Sequence, residues 1–320
     1  MSASAQVSSR PAHPVRGYIY IASAALLWGI CASLGRAAFT GRSGIPPVDP
    51  LILAQCRTTF SFLICLPAIA AMRGVSALRL PARDFLYLAA IGILGVAASN
   101  YFYYLAIQKT NVATAIIVQY TAPVWVLLYM VARGLQRATR RRVLSVILAL
   151  IGTTLVIGVV GSGGFRLNPI GVSAAMLAAF SFSFYNIGGH SILTRYDRWI
   201  VLLYTTATAS AFWLIVNPPW KVVAQHYTGH QWLFLFVFSL LSVLAPFSFY
   251  FAGLQHLEPT RAVITSCLEP VFSILIAAFV LGETVHGWQS FGILLVLAAI
   301  VVVQLPVARD DVVMPVEPVE

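Results

Sequence analysis

Ten mostly apolar stretches follow one another along the chain, at 17–39, 49–71, 84–106, 111–132, 143–161, 169–192, 199–217, 232–254, 260–281 and 287–305. Each is long enough for a helix crossing a bilayer, which takes about 20 residues. In lipid the backbone has to satisfy its own hydrogen bonds, so runs this apolar are expected as spanning α-helices. The connections between them reach no more than about 15 residues, which leaves no room for a water-soluble domain. Composition agrees: of 320 residues 59% are hydrophobic and 9% are charged. A soluble enzyme of this length is excluded, because ten acidic and twenty basic side chains cannot cover such a surface. Disorder and collagen-like repeats are excluded with it.

The net charge of +10 would fit nucleic acid, but its placement argues otherwise. With the N-terminus inside, fourteen arginines (10, 16, 73, 79, 83, 133, 137, 140, 141, 142, 195, 198, 261 and 309) fall on the cytoplasmic side. Only Arg42, Lys109, Arg166 and Lys221 fall outside, and Arg36 and Arg57 lie within spans. That asymmetry puts both termini in the cytoplasm. The arginine run at 137–142 then reads as a cytoplasmic anchor, with no aromatic or fold motif for nucleic acid beside it. The first apolar run is too long for a secretory leader and reads as a retained helix. The four cysteines, Cys31, Cys56, Cys65 and Cys267, all lie within spans and share no metal-ligand spacing, so they read as buried thiols.

Displacing the chain by 147 residues brings 102–128 onto 249–275. Phe102, Tyr103, Gln108, Ala115, Ile117, Pro123, Val124 and Leu128 then meet identical residues at Phe249, Tyr250, Gln255, Ala262, Ile264, Pro270, Val271 and Leu275. Span 3 maps onto span 8 and span 4 onto span 9. The expected chain is therefore a duplicated five-helix unit: a tail at 1–16, a first repeat at 17–161, a connecting loop at 162–168, a second repeat at 169–305 and a tail at 306–320. Five is odd, so the second copy enters the membrane from the opposite face. The expected fold is an all-α integral membrane protein with ten transmembrane helices in two inverted five-helix repeats. Inverted repeats suit alternating access, with a substrate site near the midplane where the repeats meet.

Particular residues sharpen this. Leu268-Glu269-Pro270-Val271-Phe272, continuing to Leu281-Gly282-Glu283 and Gly292, resembles the last two helices of EamA-type drug/metabolite transporters. Leu27-Trp28-Gly29 resembles the Leu-Trp-Gly-type sequence of their first helix. Ala122-Pro123-Val124 keeps the proline in the first repeat, whereas Gly134-Leu135-Gln136 lacks the acidic residue. The resemblance implies ten helices, inverted repeats and transport of small metabolites, often the export of amino acids. The layout is similar to that of the family's aromatic amino-acid exporters.

Ionisable groups within a bilayer are costly and mark function by default. Glu269 lies near a span's midpoint beside Pro270, which removes a backbone donor and frees the Ser266 carbonyl. It reads either as a coupling and substrate site or as a neutral buried acid bonding a neighbouring helix. Arg57 either holds a substrate carboxylate, pairs with Asp49 or snorkels outward. Pro123 mirrors Pro270, making the two prolines a pair of hinges, and Gln119 and Tyr120 precede it as cavity residues. Trp28 is too deep for an interfacial belt, and either packs helices or floors a cavity. Tyr103 and Tyr250 sit in aromatic clusters at opposite faces, as interfacial belts or as symmetry-related gates. Asn186 is a further polar candidate.

No metal cluster, nucleotide-binding loop or catalytic constellation appears, so no cofactor and no enzyme chemistry is expected. The expected activity is export of an amino acid or related amphipathic compound across the bacterial inner membrane. The partners are a small-molecule substrate and the bilayer, not nucleic acid, with the protein a monomer or weak homo-oligomer. Alternatives are an uptake or exchange carrier for another solute such as a nucleotide-linked sugar, a passive channel, and a membrane-embedded enzyme.

Overall fold

A computed structural model of the chain describes residues 13–39, 48–110, 112–157, 168–281, 285–305 and 312–314. Gly282 and Glu283 of the Leu-Gly-Glu stretch, Arg42, Arg166 and nearly all of the 162–168 loop and the two tails lie outside these residues. So does the side chain of Arg36.

The described chain is almost entirely helical. The first half contains α1 (Pro14–Phe39), α2 (Pro50–Arg73), α3 (Ala82–Ala90), α4 (Ala98–Lys109), α5 (Val112–Gln119), α6 (Ala122–Ala132) and α7 (Arg140–Ile157). The second contains α8 (Pro169–Ile192), α9 (Arg198–Val216), the short α10 (Pro219–Val223), α11 (Gly229–Ser239), α12 (Ala245–Leu254), α13 (Pro259–Ser266), α14 (Leu268–Leu281) and α15 (Gly287–Gln304). A small antiparallel pair joins β1 (Ala138–Thr139) to β2 (Val312–Met314).

Local chemistry starts these helices where the apolar runs begin. Asp49 accepts from the Leu51 and Ile52 amides at 2.8 and 3.1 Å, with Pro50 opening α2. Asn168 does the same for Ile170 and Gly171 ahead of Pro169. Each cap satisfies amides that the first turn leaves without partners, and proline fits where no donor is needed.

Two departures from regular helix recur in both halves. α3 continues into α4 through a π-helical segment, Ile91–Ala97, and α11 continues into α12 through another, Leu240–Leu244. α5 breaks from α6 at Tyr120–Thr121, and α13 breaks from α14 at Cys267. Helix starts also recur: Ala82 and Gly229, Ala98 and Ala245, Val112 and Pro259, and Arg140 and Gly287 are each 147 residues apart.

Among the described residues nine helical units are long and apolar enough to cross a membrane. The stretch expected as a fifth span forms the 18-residue α7, which opens on Arg140, Arg141 and Arg142 and is not among these nine; residues 158–161 lie outside those described. α7 and α15 pack backbone to backbone, since a Cβ on Gly152 would sit 2.8 Å from the Gly292 carbonyl oxygen.

The described ion pairs gather at one end of the bundle. Arg73 meets Asp197 at 2.5 Å, Arg195 meets Asp84 at 2.9 Å and Arg142 meets Glu258 at 2.8 Å, with Arg261 3.8 Å from the same Glu258 oxygen. Gln136 accepts from Thr260 at 2.8 Å beside them, and Tyr196 donates to Asp84 at 2.5 Å. Burial, then that hydrogen bond, pushes the Tyr196 hydroxyl up to about 12, so it remains a donor at physiological pH. The four cysteines are buried and free.

Candidate functional site

A cavity of about 580 Å³ opens between the two halves, where both pairs of broken helices meet. Equivalent positions face it from each half: Asn100 and Phe247, Ile116 and Val263, Gln119 and Ser266, Pro123 and Pro270. It reaches toward Ile157 at the end of α7 and Gln289 near the start of α15, whereas no residue of the ion-paired end lines it.

The helix breaks put polar backbone into this space. Pro123 and Pro270 lack the amide that would otherwise bond the Gln119 and Ser266 carbonyls. Non-helical backbone at membrane depth is tolerated where it lines a cavity. The start of α14 carries Glu269, and the Tyr120 hydroxyl from the equivalent break interacts with its carboxyl group. α1 approaches this point closely. A Cβ on Gly29 would lie 3.0 Å from the Glu269 carbonyl oxygen, so the Leu27-Trp28-Gly29 stretch presses α1 against the acidic residue.

The π-helical segment of the second half orders the opposite wall. Its Ser242 carbonyl accepts from Trp28 Nε1 at 3.2 Å and from Arg57 Nη2 at 3.1 Å, and the Ser242 hydroxyl accepts from Arg57 Nε at 2.9 Å. Such segments leave carbonyls outside the regular helical ladder, and they concentrate at functional sites. Arg57 also lies over the Phe238 ring at 5.8 Å. It does not pair with Asp49, whose side chain caps α2. Arg57 and Glu269 feel each other's charge, yet no described ion pair joins them.

Of the residues singled out from sequence, Trp28, Arg57, Tyr103, Gln119, Tyr120, Pro123, Glu269 and Pro270 all line this cavity. Asn186 and Tyr250 do not. Both are fully buried behind the wall, where the Tyr250 hydroxyl donates to Asn186 Oδ1 and Asn186 Nδ2 donates to the Phe182 carbonyl at 2.8 Å. Tyr250 packs against Trp28 and Tyr185, with ring centroids 5.3 and 5.9 Å away. His190 also stays out of the cavity lining, with Nδ1 2.9 Å from the Leu254 carbonyl oxygen. Ser99, Asn100, Phe182, Tyr185, Phe247 and Ser266 were not anticipated in the wall. For Asn100 a signal existed, an amide in the middle of an apolar span. Ser242 has its role only through the π-helical turn, which hydropathy does not register.

A polytopic helical protein with a polar, two-sided cavity between similar halves has the form of a membrane transporter. The model of the EamA-like transporter family matches the chain twice, over residues 15–158 and 169–305. The chain belongs to that family, within the drug/metabolite transporter superfamily. It is 24% identical over 303 residues to an uncharacterized inner membrane transporter, YicL, of Salmonella typhimurium, covering 92% of this chain and 97% of the relative. It is 27% identical over 254 residues to an uncharacterized transporter of Archaeoglobus fulgidus, covering 79% of this chain and 86% of the relative. A solved crystal structure shares the fold with a TM-score of 0.74 at 24% identity, covering 91% of this chain and 97% of that one. The protein is a multi-pass inner-membrane transporter.

Proposed function

We propose that this protein moves a small zwitterionic or amphipathic metabolite by alternating access, and that export of amino acids is its activity. The observation that carries this reading is the pairing of Arg57 with Glu269. The Arg57 guanidinium and the Glu269 carboxyl group face one cavity with no ion pair between them among the described residues, and Arg57 is held by Ser242. Burying charge in an apolar bundle is costly, and a ligand carrying both a carboxylate and an ammonium compensates both groups at once. Trp28, Phe182, Tyr185 and Phe247 supply apolar walls for the remainder of such a molecule, aromatic side chains included. Glu269 is also the group we assign to coupling, and Pro123 and Pro270 are the hinges.

The fold we propose is ten helices in two inverted repeats, with α7 as the fifth span, the repeats at 17–161 and 169–305, and both termini cytoplasmic. The duplicate family match, the shared helix starts and the paired breaks support it. With this orientation the ion-paired end is cytoplasmic, and the cavity leans toward the outer face. Tyr103 and Tyr250 are equivalent, and one lines the cavity while the other is sealed in the core. That is the asymmetry expected of gates when one face is open.

Two measurements test this reading. A panel of metabolites is screened for protection of the purified protein from heat, since a bound ligand stabilises by mass action; amino acids are expected to protect. Introduced cysteines near each face then report accessibility in Tyr103→Ala and Tyr250→Ala. The two variants are expected to shift accessibility in opposite directions, and a shift in the same direction defeats the gate assignment.

A further inference from the structure

Two amides in the cavity wall are oriented by their neighbours. Asn100 Nδ2 donates to the Val96 carbonyl at 2.7 Å, within the π-helical segment of the first half. Gln119 Nε2 donates to Ser99 Oγ at 3.3 Å. Ser99 is buried and its single hydroxyl hydrogen goes to the Ala178 carbonyl at 3.4 Å, so toward Gln119 it acts only as an acceptor. Both amides therefore turn nitrogen inward, which leaves Asn100 Oδ1 and Gln119 Oε1 as acceptors at the cavity surface. They stand on α4 and α5, whereas Arg57 stands on α2, and among the described residues its Nη1 has no hydrogen-bond partner.

We infer that Asn100 and Gln119, the latter set by Ser99, determine specificity by accepting hydrogen bonds from a substrate ammonium group whose carboxylate faces Arg57. The inference rests on the proposed zwitterion transport and adds which end of the substrate the amide wall reads. An ammonium offers three donors, and two fixed amide oxygens together with the Glu269 carboxylate match that number. A substrate lacking the ammonium leaves the oxygens desolvated without partners, the arrangement that gives a polar site its strongest discrimination.

The test uses L-phenylalanine, phenethylamine and 3-phenylpropionate, one skeleton with both charged groups, the ammonium alone and the carboxylate alone. Affinity is read from thermal protection of the full chain in detergent. The expected result is that phenylalanine and phenethylamine protect and 3-phenylpropionate does so far less. Gln119→Leu and Asn100→Leu each reduce the preference for the ammonium by about tenfold, the weight of one hydrogen bond to a charged group. Gln119→Glu, which keeps an acceptor, retains the preference and shows that the loss is not one of folding. If 3-phenylpropionate binds as well as phenylalanine, or if both leucine variants keep the preference, the amide wall does not read the ammonium. Transport of zwitterions would survive that result. If none of the three compounds protects, the amino-acid reading fails and takes this inference with it.

Discussion

At the scale of single residues, Arg57 shows why the guanidinium and not merely a positive charge belongs at its position. Its Nε and Nη2 bond the hydroxyl and carbonyl of one residue, Ser242, and the rest of the fork remains for a ligand. A lysine has one compact ammonium and cannot keep both sides of that arrangement. Arg57→Lys is therefore expected to raise the KM for transport about tenfold while the protein still folds, checked by kinetics alongside the unfolding midpoint. Glu269→Gln keeps the size and polarity of the side chain beside Tyr120 but removes the ionisable group. Where Glu269 carries the coupling proton, the pH dependence of transport flattens and the folded yield is unchanged. A preserved pH profile with a reduced yield would assign Glu269 a structural role. Such residues were legible because charge and proline are rare inside apolar spans. Asn186 and Tyr250 were placed less well, because the few polar residues of their helices form no stripe that marks the cavity-facing positions.

At the scale of elements, the apolar runs and their proline marks predict most of the helices, but not how these are interrupted. The breaks after Gln119 and Ser266 follow from Pro123 and Pro270. The two π-helical segments leave no trace in hydropathy, because they change hydrogen-bond register and not composition. α7 and α15 have no room at their crossing. Gly152→Leu would drive a side chain into the Gly292 carbonyl oxygen and the Val296 amide nitrogen, each 2.8 Å from a Cβ placed on Gly152. The cost is expected at about 1–3 kcal/mol or more, seen as a lower unfolding midpoint in detergent. The contact between Arg142 and Glu258 joins α7 to the start of α13 at the ion-paired end, and Glu258 is 45% exposed. Exposed pairs contribute about 0–1 kcal/mol, enough to bias a two-state equilibrium a few-fold without unfolding the protein. Glu258→Gln is expected to increase thiol labelling of a cysteine introduced at that end. Unchanged labelling would mean that this pair does not hold the end closed. The four native cysteines are buried, which keeps the background of such labelling low.

At the scale of the whole molecule, two similar halves enclose one cavity, and the acidic residue stands in only one of them. Glu269 occupies the position equivalent to Ala122, and both line the same space. The duplication explains where the cavity lies, and the difference between the copies explains why it is acidic on one side. The membrane class and the family were legible in the chain because lipid imposes so narrow a choice of backbone structure. The cargo was not, because it depends on which way a few side chains turn. The claim that this cavity carries a solute across the membrane is tested most directly by counterflow in proteoliposomes. Vesicles loaded with unlabelled amino acid are expected to accumulate the labelled compound transiently, with saturation, and Arg57→Lys is expected to weaken the exchange. Labelled amino acid that enters without saturation and without counterflow, or does not enter at all, would contradict the account.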